Sequence, residues 1–330
     1  MKNIVLCFDQ ADERSGPHDA TNTQALFRLL DTDEQQVGWY HNGATPAHGA
    51  ALMPGRRSAV VRDSRAAVID AYRFVDSYWE PGDHIFLFGG GHGGHRAREL
   101  ATLLGTVGLL PARSDDLGDY ALATYVLPTT ARTPQDWHRV SRLTAQLLGD
   151  DETAIPVRFL GTWDGMRIPG SPQFIGPLTN IDGGRHAVAI DGGRHTIHHC
   201  DAVDEVWFRG AHCDIAGGYG ACWPLADIAL DWVLTGAVEA GLLVADRLSS
   251  PTELDALAGS APTIGLHRPP LDARVHASVE VHLQAHPQYW RRLPARIEWA
   301  DADWLARGER LVTAPTTARV EREILTAAAS

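Results

Sequence analysis

At 330 residues the chain can bury a substantial core, as one large α/β domain or two smaller ones. Its 29 Lys+Arg against 41 Asp+Glu give a net charge of -12, which argues against a nucleic-acid partner, since that would want a basic face. Four cysteines without CxxC spacing (Cys7, Cys200, Cys213, Cys222), no signal peptide ahead of the run at 3–8, and no apolar stretch of membrane-spanning length lead to the expectation of a reduced, cytoplasmic chain without a transmembrane segment.

Ile4 to Phe8 is a short apolar run closed by Asp9, the pattern of a buried strand in a parallel sheet. The polar residues Gln10 to Thr23 form a loop at that strand's carboxyl end, where α/β folds place ligand contacts. Asn22 to Leu30 has helical spacing, and Val37 to His41 predicts a second strand, followed by a Gly/Pro/Ala-rich loop from 42 to 55. Ser64 to Trp79 predicts a stronger helix, stopped by Glu80-Pro81-Gly82-Asp83. Ile85 to Phe88 then runs through Gly89-Gly90-Gly91-His92-Gly93-Gly94-His95 into a helix-forming segment, Arg96 to Leu104. Strand, sharp turn and helix make the layout of a nucleophile elbow, whose usual pattern is G-x-S-x-G. Here the turn carries glycines and histidines and no serine.

Beyond the elbow, helix extends from Arg98 to Leu110, and weaker helical pieces fill 113–152. Pro156 to Asp164 predicts another buried strand, ending in an acid. Residues 165–193 read as loop, rich in Gly and Pro, so 165–200 is assigned as a lid. Asp204 to Phe208 is the last clear strand, Pro224 to Leu243 an apolar helix, and 245–330, with Trp290, Trp299 and Trp304, a cap or strap ending in a frayed tail at 326–330. The strand–helix rhythm calls for a doubly wound, mostly parallel α/β sheet with helices on both faces, read as a single domain over 1–330.

Asp9, Asp164 and His212 each lie just past a predicted strand, so a parallel sheet would bring them to one edge. Elbow, then Asp, then His is the triad order of α/β-hydrolases. The chain also holds Phe8-Asp9-Gln10-Ala11, Thr21-Asn22-Thr23, Gly82-Asp83-His84-Ile85-Phe86-Leu87-Phe88-Gly89 and Phe159-Leu160-Gly161-Thr162-Trp163-Asp164. Arg185-His186-Ala187-Val188-Ala189-Ile190-Asp191 and Trp207-Phe208-Arg209-Gly210-Ala211-His212-Cys213-Asp214 follow further on. In these segments it resembles the family of uncharacterised α/β-hydrolases that includes type VI secretion phospholipase effectors. The resemblance implies Asp164 and His212 as acid and base of a triad. Aligned without gaps on Ala97-Arg98, it sets the family's nucleophilic serine at Gly91, and its D-G-T turn, part of the oxyanion pocket, at Asp9-Gln10-Ala11. A one-residue slide would instead set His92 at the apex; the gapless register is preferred.

Glycine supplies no oxygen nucleophile, so what survives is a His212–Asp164 dyad able to act as a general base, with helix N-terminal N–H groups to stabilise an oxyanion. A vacant notch at Gly91 would admit substrate or water. The first functional reading is therefore a serine-less enzyme acting on a small organic molecule by water activation, elimination, isomerisation or cyclisation. Its catalytic residues are His212, Asp164 and His92, with Asp9, Gln10, Gly91 and His95 around the pocket. The alternatives are a pseudoenzyme that binds a ligand or protein, and an esterase or phospholipase using His92 or a metal. Spacing supports a metal site at His92, His95 and His212, with Asp9 or Asp214, only weakly, so no metal or cofactor is assigned. Cys213 reads as a packed small residue, and His186 and Asp191 as lid-orienting or structural.

Overall fold

The computed structural model describes residues 1–10, 19–43, 54–110, 133–149, 153–171, 178–193, 197–245, 250–260 and 269–306. Parts of the loops expected at 10–23 and 42–55, most of the pieces expected within 113–152, and the tail at 326–330 lie outside the described residues.

The strands are β1 (Asn3–Phe8), β2 (Gln36–His41), β3 (His84–Gly90), β4 (Phe159–Trp163), β5 (Gly184–Ala189), β6 (Val203–Phe208), β7 (Arg274–His276) and β8 (Glu298–Ala300). They form one eight-stranded sheet in the order β2-β1-β3-β4-β5-β6-β7-β8, every neighbouring pair parallel. Helices are α1 (Asn22–Leu29), α2 (Pro54–Tyr78), α3 (His92–Val107), α4 (Pro134–Leu148), α5 (His212–Ala216), α6 (Trp223–Glu239), α7 (Glu253–Ala256) and α8 (Ser278–Ala285), followed by a 3₁₀ turn, Pro287–Arg292.

Strand alternation sends Val5, Cys7, Phe86 and Phe88 to one face, where Leu26 of α1 and Ile228, Trp232 and Val233 of α6 cover them. Ile4, Leu6, Phe8, Ile85 and Leu87 point to the other face, against Val68, Ala71 and Val75 of α2 and Leu100 and Leu104 of α3. Both faces are dry, which is why these strands read as continuous apolar runs rather than alternating ones. The α/β architecture with helices on both faces is the one the sequence predicts.

Two expectations are corrected. Six residues of the segment assigned as a lid form β5, a strand inside the sheet. Glycines precede it and Arg185 and His186 occupy its first half, so its apolar run is short. The segment assigned as a cap or strap contributes β7 and β8, which extend the sheet at one edge. At three residues each, they fall below the length at which alternation is readable. Val275, Val279 and Trp207 join Val188 and Ile190 in a third apolar cluster that holds this edge.

Candidate functional site

Strand β3 ends at Gly90 and α3 begins at His92, leaving Gly91 between them at φ 51°, ψ −119°. A residue with a side chain would be strained there by about 1–3 kcal/mol. A Cβ on Gly89 would fall 2.3 Å from the Gly93 carbonyl carbon, and one on Gly93 would fall 1.9 Å from the Phe8 carbonyl oxygen. Glycine at both positions is what lets strand and helix backbones approach so closely. The bend is pinned by Gly91 N–H to the Trp163 carbonyl (2.9 Å) and by Met166 N–H to the Gly91 carbonyl (2.8 Å).

The apex is thus Gly91, as in the gapless register, and His92 is the first helical residue. The helix also starts four residues before the expected Arg96. Glycines weaken a helix forecast, but here they form the first turn because only a bare backbone fits against the end of β1.

Asp164 follows β4 in a left-handed conformation, φ 41°. Its Oδ1 accepts Ala189 N–H (3.1 Å) and its Oδ2 lies 2.7 Å from His212 Nδ1. The carboxyl is buried, while the His212 side chain keeps 27% of its surface exposed. With Nδ1–H directed at the carboxylate, Nε2 is the ring nitrogen left to take a proton. A Cβ at Gly91 would stand 3.1 Å from His212 Cε1, so the ring edge abuts the apex.

Support for the dyad comes from buried polar groups. Asp214 accepts Ala211 N–H through Oδ2 (2.8 Å) and Cys222 N–H through Oδ1 (2.9 Å), fixing the loop that presents His212. Asn22 donates to the carbonyls of Ile215 (2.8 Å) and Ala226 (2.9 Å), tying α1 to α5 and α6. Gly165 N–H donates to His186 Nε2 (3.1 Å), and Glu205 Oε2 stands 3.5 Å from His186 Nδ1. His186, fully buried in β5, therefore steadies the turn that carries Asp164. Sequence reading had singled out His186, but not its partner Glu205.

The notch above the apex is not vacant. Gln10 Oε1 accepts His92 N–H at 2.5 Å and would lie only 1.9 Å from a Cβ on Gly91. Removing the side chain at 91 makes room for the Gln10 carboxamide, which takes the N–H an elbow offers to an oxyanion. Asp9 is buried and engaged locally: Oδ1 accepts Gln10 N–H (2.7 Å) and the Thr21 hydroxyl (2.7 Å), and Oδ2 accepts the Tyr40 hydroxyl. Burial, then Asp9, pushes the Tyr40 phenol up. Asp9 thereby braces the loop holding Gln10.

His95 Nε2 lies 3.1 Å from Ser171 Oγ and 3.3 Å from Glu99 Oε1, in a buried polar cluster of its own rather than at the dyad. Burial, then Asp214, pushes the Cys213 thiol up to about 11, which leaves it protonated near neutral pH. Among the described residues no group of three or more His, Cys, Asp or Glu is gathered to hold a metal ion. None of the described helices is long and apolar enough to cross a membrane.

Matches to known proteins are of three kinds. The profile of the type VI secretion system phospholipase effector Tle1-like catalytic domain matches residues 2–236. An uncharacterized Saccharomyces cerevisiae protein, YEL023C, is 33% identical over 138 residues, which is 38% of this chain and 20% of that protein. The structure of the Tle1 effector bound to the VgrG spike of the type 6 secretion system aligns at 16% identity and TM-score 0.38, covering 66% of this chain and 51% of that one. An uncharacterized protein from Pseudomonas aeruginosa aligns at 13% identity and TM-score 0.40, covering 74% of this chain and 46% of its own. The chain thus spans about half or less of the proteins it matches.

Proposed function

Since the chain belongs to the Tle1-like catalytic-domain family of type VI secretion phospholipase effectors, we propose that it is a serine-less lipid esterase in which the dyad activates water directly. The observation that carries this reading is the 2.7 Å bond between His212 Nδ1 and Asp164 Oδ2 at the edge of the elbow apex. His212 Nε2 takes a proton from water, and the hydroxide attacks the ester carbonyl. The oxyanion replaces the Gln10 carboxamide at His92 N–H, where a fixed donor stabilises charge without reorganising. Collapse expels the alcohol, which takes the proton back from His212 Nε2. Asp164 holds the tautomer and offsets the imidazolium charge, as the acid of a triad does.

Hydrolysis of short-chain phospholipids and simple esters in ¹⁸O-labelled water tests this. Label should enter the product acid, and His212→Ala should abolish turnover. Undiminished turnover in that variant removes the dyad from the mechanism.

A second reading has its own support: Gln10 fills the notch in the resting site, as expected of a domain that binds a carbonyl ligand without turning it over. Absence of turnover across ester, lactone and lipid panels, with ligands still raising the melting temperature, would favour it.

A further inference from the structure

Two histidine rings meet the turn that carries Asp164. His186 in β5 is fully buried, and its Nε2 accepts Gly165 N–H (3.1 Å). Accepting at Nε2 fixes the tautomer, so the ring's one proton sits on Nδ1, 3.5 Å from Glu205 Oε2. His199 packs edge-on against that ring, with centroids 4.9 Å apart and planes at 78°. Its Nε2 is 3.0 Å from the Thr162 hydroxyl oxygen, and its Nδ1 is buried without a hydrogen-bond partner. A Cβ on Gly165 would lie 3.5 Å from His186 Nε2 and 3.8 Å from His199 Nε2, so both rings abut the residue after Asp164.

We propose that this histidine pair is an acid-operated latch on the dyad. With both rings neutral, His186 Nε2 holds Gly165 N–H, and with it the left-handed turn at Asp164 (φ 41°). A second proton on His186 makes Nε2 a donor facing a donor. The Gly165 bond then breaks, the turn relaxes, and the Asp164 carboxylate leaves His212. Only a proton is taken up, and return to neutral pH restores the contact.

The groups facing the pair come from three elements. Glu205, on β6, is the counter-charge that favours a proton on His186. Although burial pushes its carboxyl up, the histidines beside it hold it down at about 2, so it stays ionised through mild acid. His198, exposed beside His199, shares that carboxylate through Nδ1 (2.8 Å), which holds its imidazole above the ordinary value, so it charges first. Arg98, on α3, opposes further positive charge; its Nη1 donates to the His198 and His199 carbonyls (2.9 Å each). Burial, then His186 and Arg98, lower the His199 imidazole well below its ordinary 6.5, so His199 enters acid neutral. A buried neutral imidazole contributes stability that is complete above that unfolded value and lost as pH falls below it, the direction a latch needs. Loss of turnover in acid rests on the esterase reading; the latch rests on the contacts alone.

The test follows the full chain by ¹H–¹⁵N spectra from about pH 8 to about pH 4, with amide exchange read as protection factors. Short of global unfolding, the Gly165 amide should shift and lose protection by roughly tenfold, the effect of one hydrogen bond, as the His186 ring nitrogens take a second proton. His186→Gln keeps an acceptor for Gly165 but takes no proton, so its Gly165 amide should hold position and protection throughout. Glu205→Gln removes the counter-charge and should move the transition down by about one pH unit or more. A Gly165 amide indifferent to pH in the unaltered chain, or titrating alike in His186→Gln, overturns the latch. If urea midpoints show that His186→Gln does not fold, Glu205→Gln decides, and an unmoved transition overturns it. The acid limb of ester turnover should fall with two protons in the unaltered chain and with one, that of His212, in His186→Gln. A titrating Gly165 amide without any turnover counts against the esterase reading alone; turnover with the same slope in both chains counts against the latch alone.

Discussion

Replacing Gly91 with Ala, alone and together with Gln10→Ala, tests whether the carboxamide and the bare backbone at 91 belong to one arrangement. At φ 51°, ψ −119° the Cβ costs about 1–3 kcal/mol of backbone strain. It would also stand 1.9 Å from Gln10 Oε1, so that flexible side chain must swing out and give up its bond to His92 N–H. Such a bond contributes about 0.5–1.5 kcal/mol, so the single Gly91→Ala change should cost roughly 1.5–4.5 kcal/mol in all. Gln10→Ala alone loses only the bond. The double variant loses the same bond once, so it should be no less stable than Gly91→Ala, with a coupling of about 0.5–1.5 kcal/mol. Urea unfolding followed by tryptophan fluorescence reads all four states of the cycle, with equal m-values as the check that two-state behaviour holds. Gly82→Ala, at φ 97° with nothing within 4 Å of the new Cβ, serves as a control for backbone cost without contact. Strictly additive costs would refute the reasoning, because they would mean Gln10 does not occupy the notch.

Asp164→Asn should lower any ester turnover by about 10²–10⁴, the usual contribution of positioned acid–base groups, with the circular-dichroism spectrum unchanged. Gly93→Ala, whose Cβ meets the Phe8 carbonyl at 1.9 Å, sets backbone against backbone and should destabilise by ~3 kcal/mol or more in the same urea assay. A cost under ~1 kcal/mol would show that strand and helix are not locked together at the elbow. Against an upward push from burial, the neighbouring His186 and the bond from His198 hold the Glu205 carboxyl down at about 2. A depressed carboxylate contributes stability that is complete above its unfolded value near 4.5 and lost as pH falls toward 2. Glu205→Gln should therefore flatten the loss of stability between those values, seen in urea midpoints taken below pH 5; an unchanged slope would exclude this pairing as its source.

The parts of the fold legible in the sequence are those whose residues face apolar surroundings on both sides. Ile4 to Phe8 and Ile85 to Phe88 are buried throughout, on strands with a neighbour on either side, and their side chains say so. Strand β5 escaped notice because its buried interior includes His186, whose place is secured by Gly165 and Glu205 rather than by hydrophobicity. Asp164 and His212 could be placed at one edge because strand ends in a parallel sheet share a direction. In six residues where glycine is nearly everywhere, only the alignment on Ala97-Arg98 separates the two apex registers. The register is decided by a single φ/ψ pair and by which glycines touch a neighbouring backbone. The Gln10 plug was beyond reach, since it depends on a rotamer and on the space left by a residue 81 positions away.

The conformation at position 91 also has a genetic consequence. Serine's AGT and AGC codons lie one base from glycine's GGT and GGC, and at this φ/ψ pair glycine is the relaxed occupant. Losing the hydroxyl would ease folding at once, and regaining it would burden folding again. A lineage that drifted across that one codon would be held on the glycine side by thermodynamics alone, whatever became of its substrate.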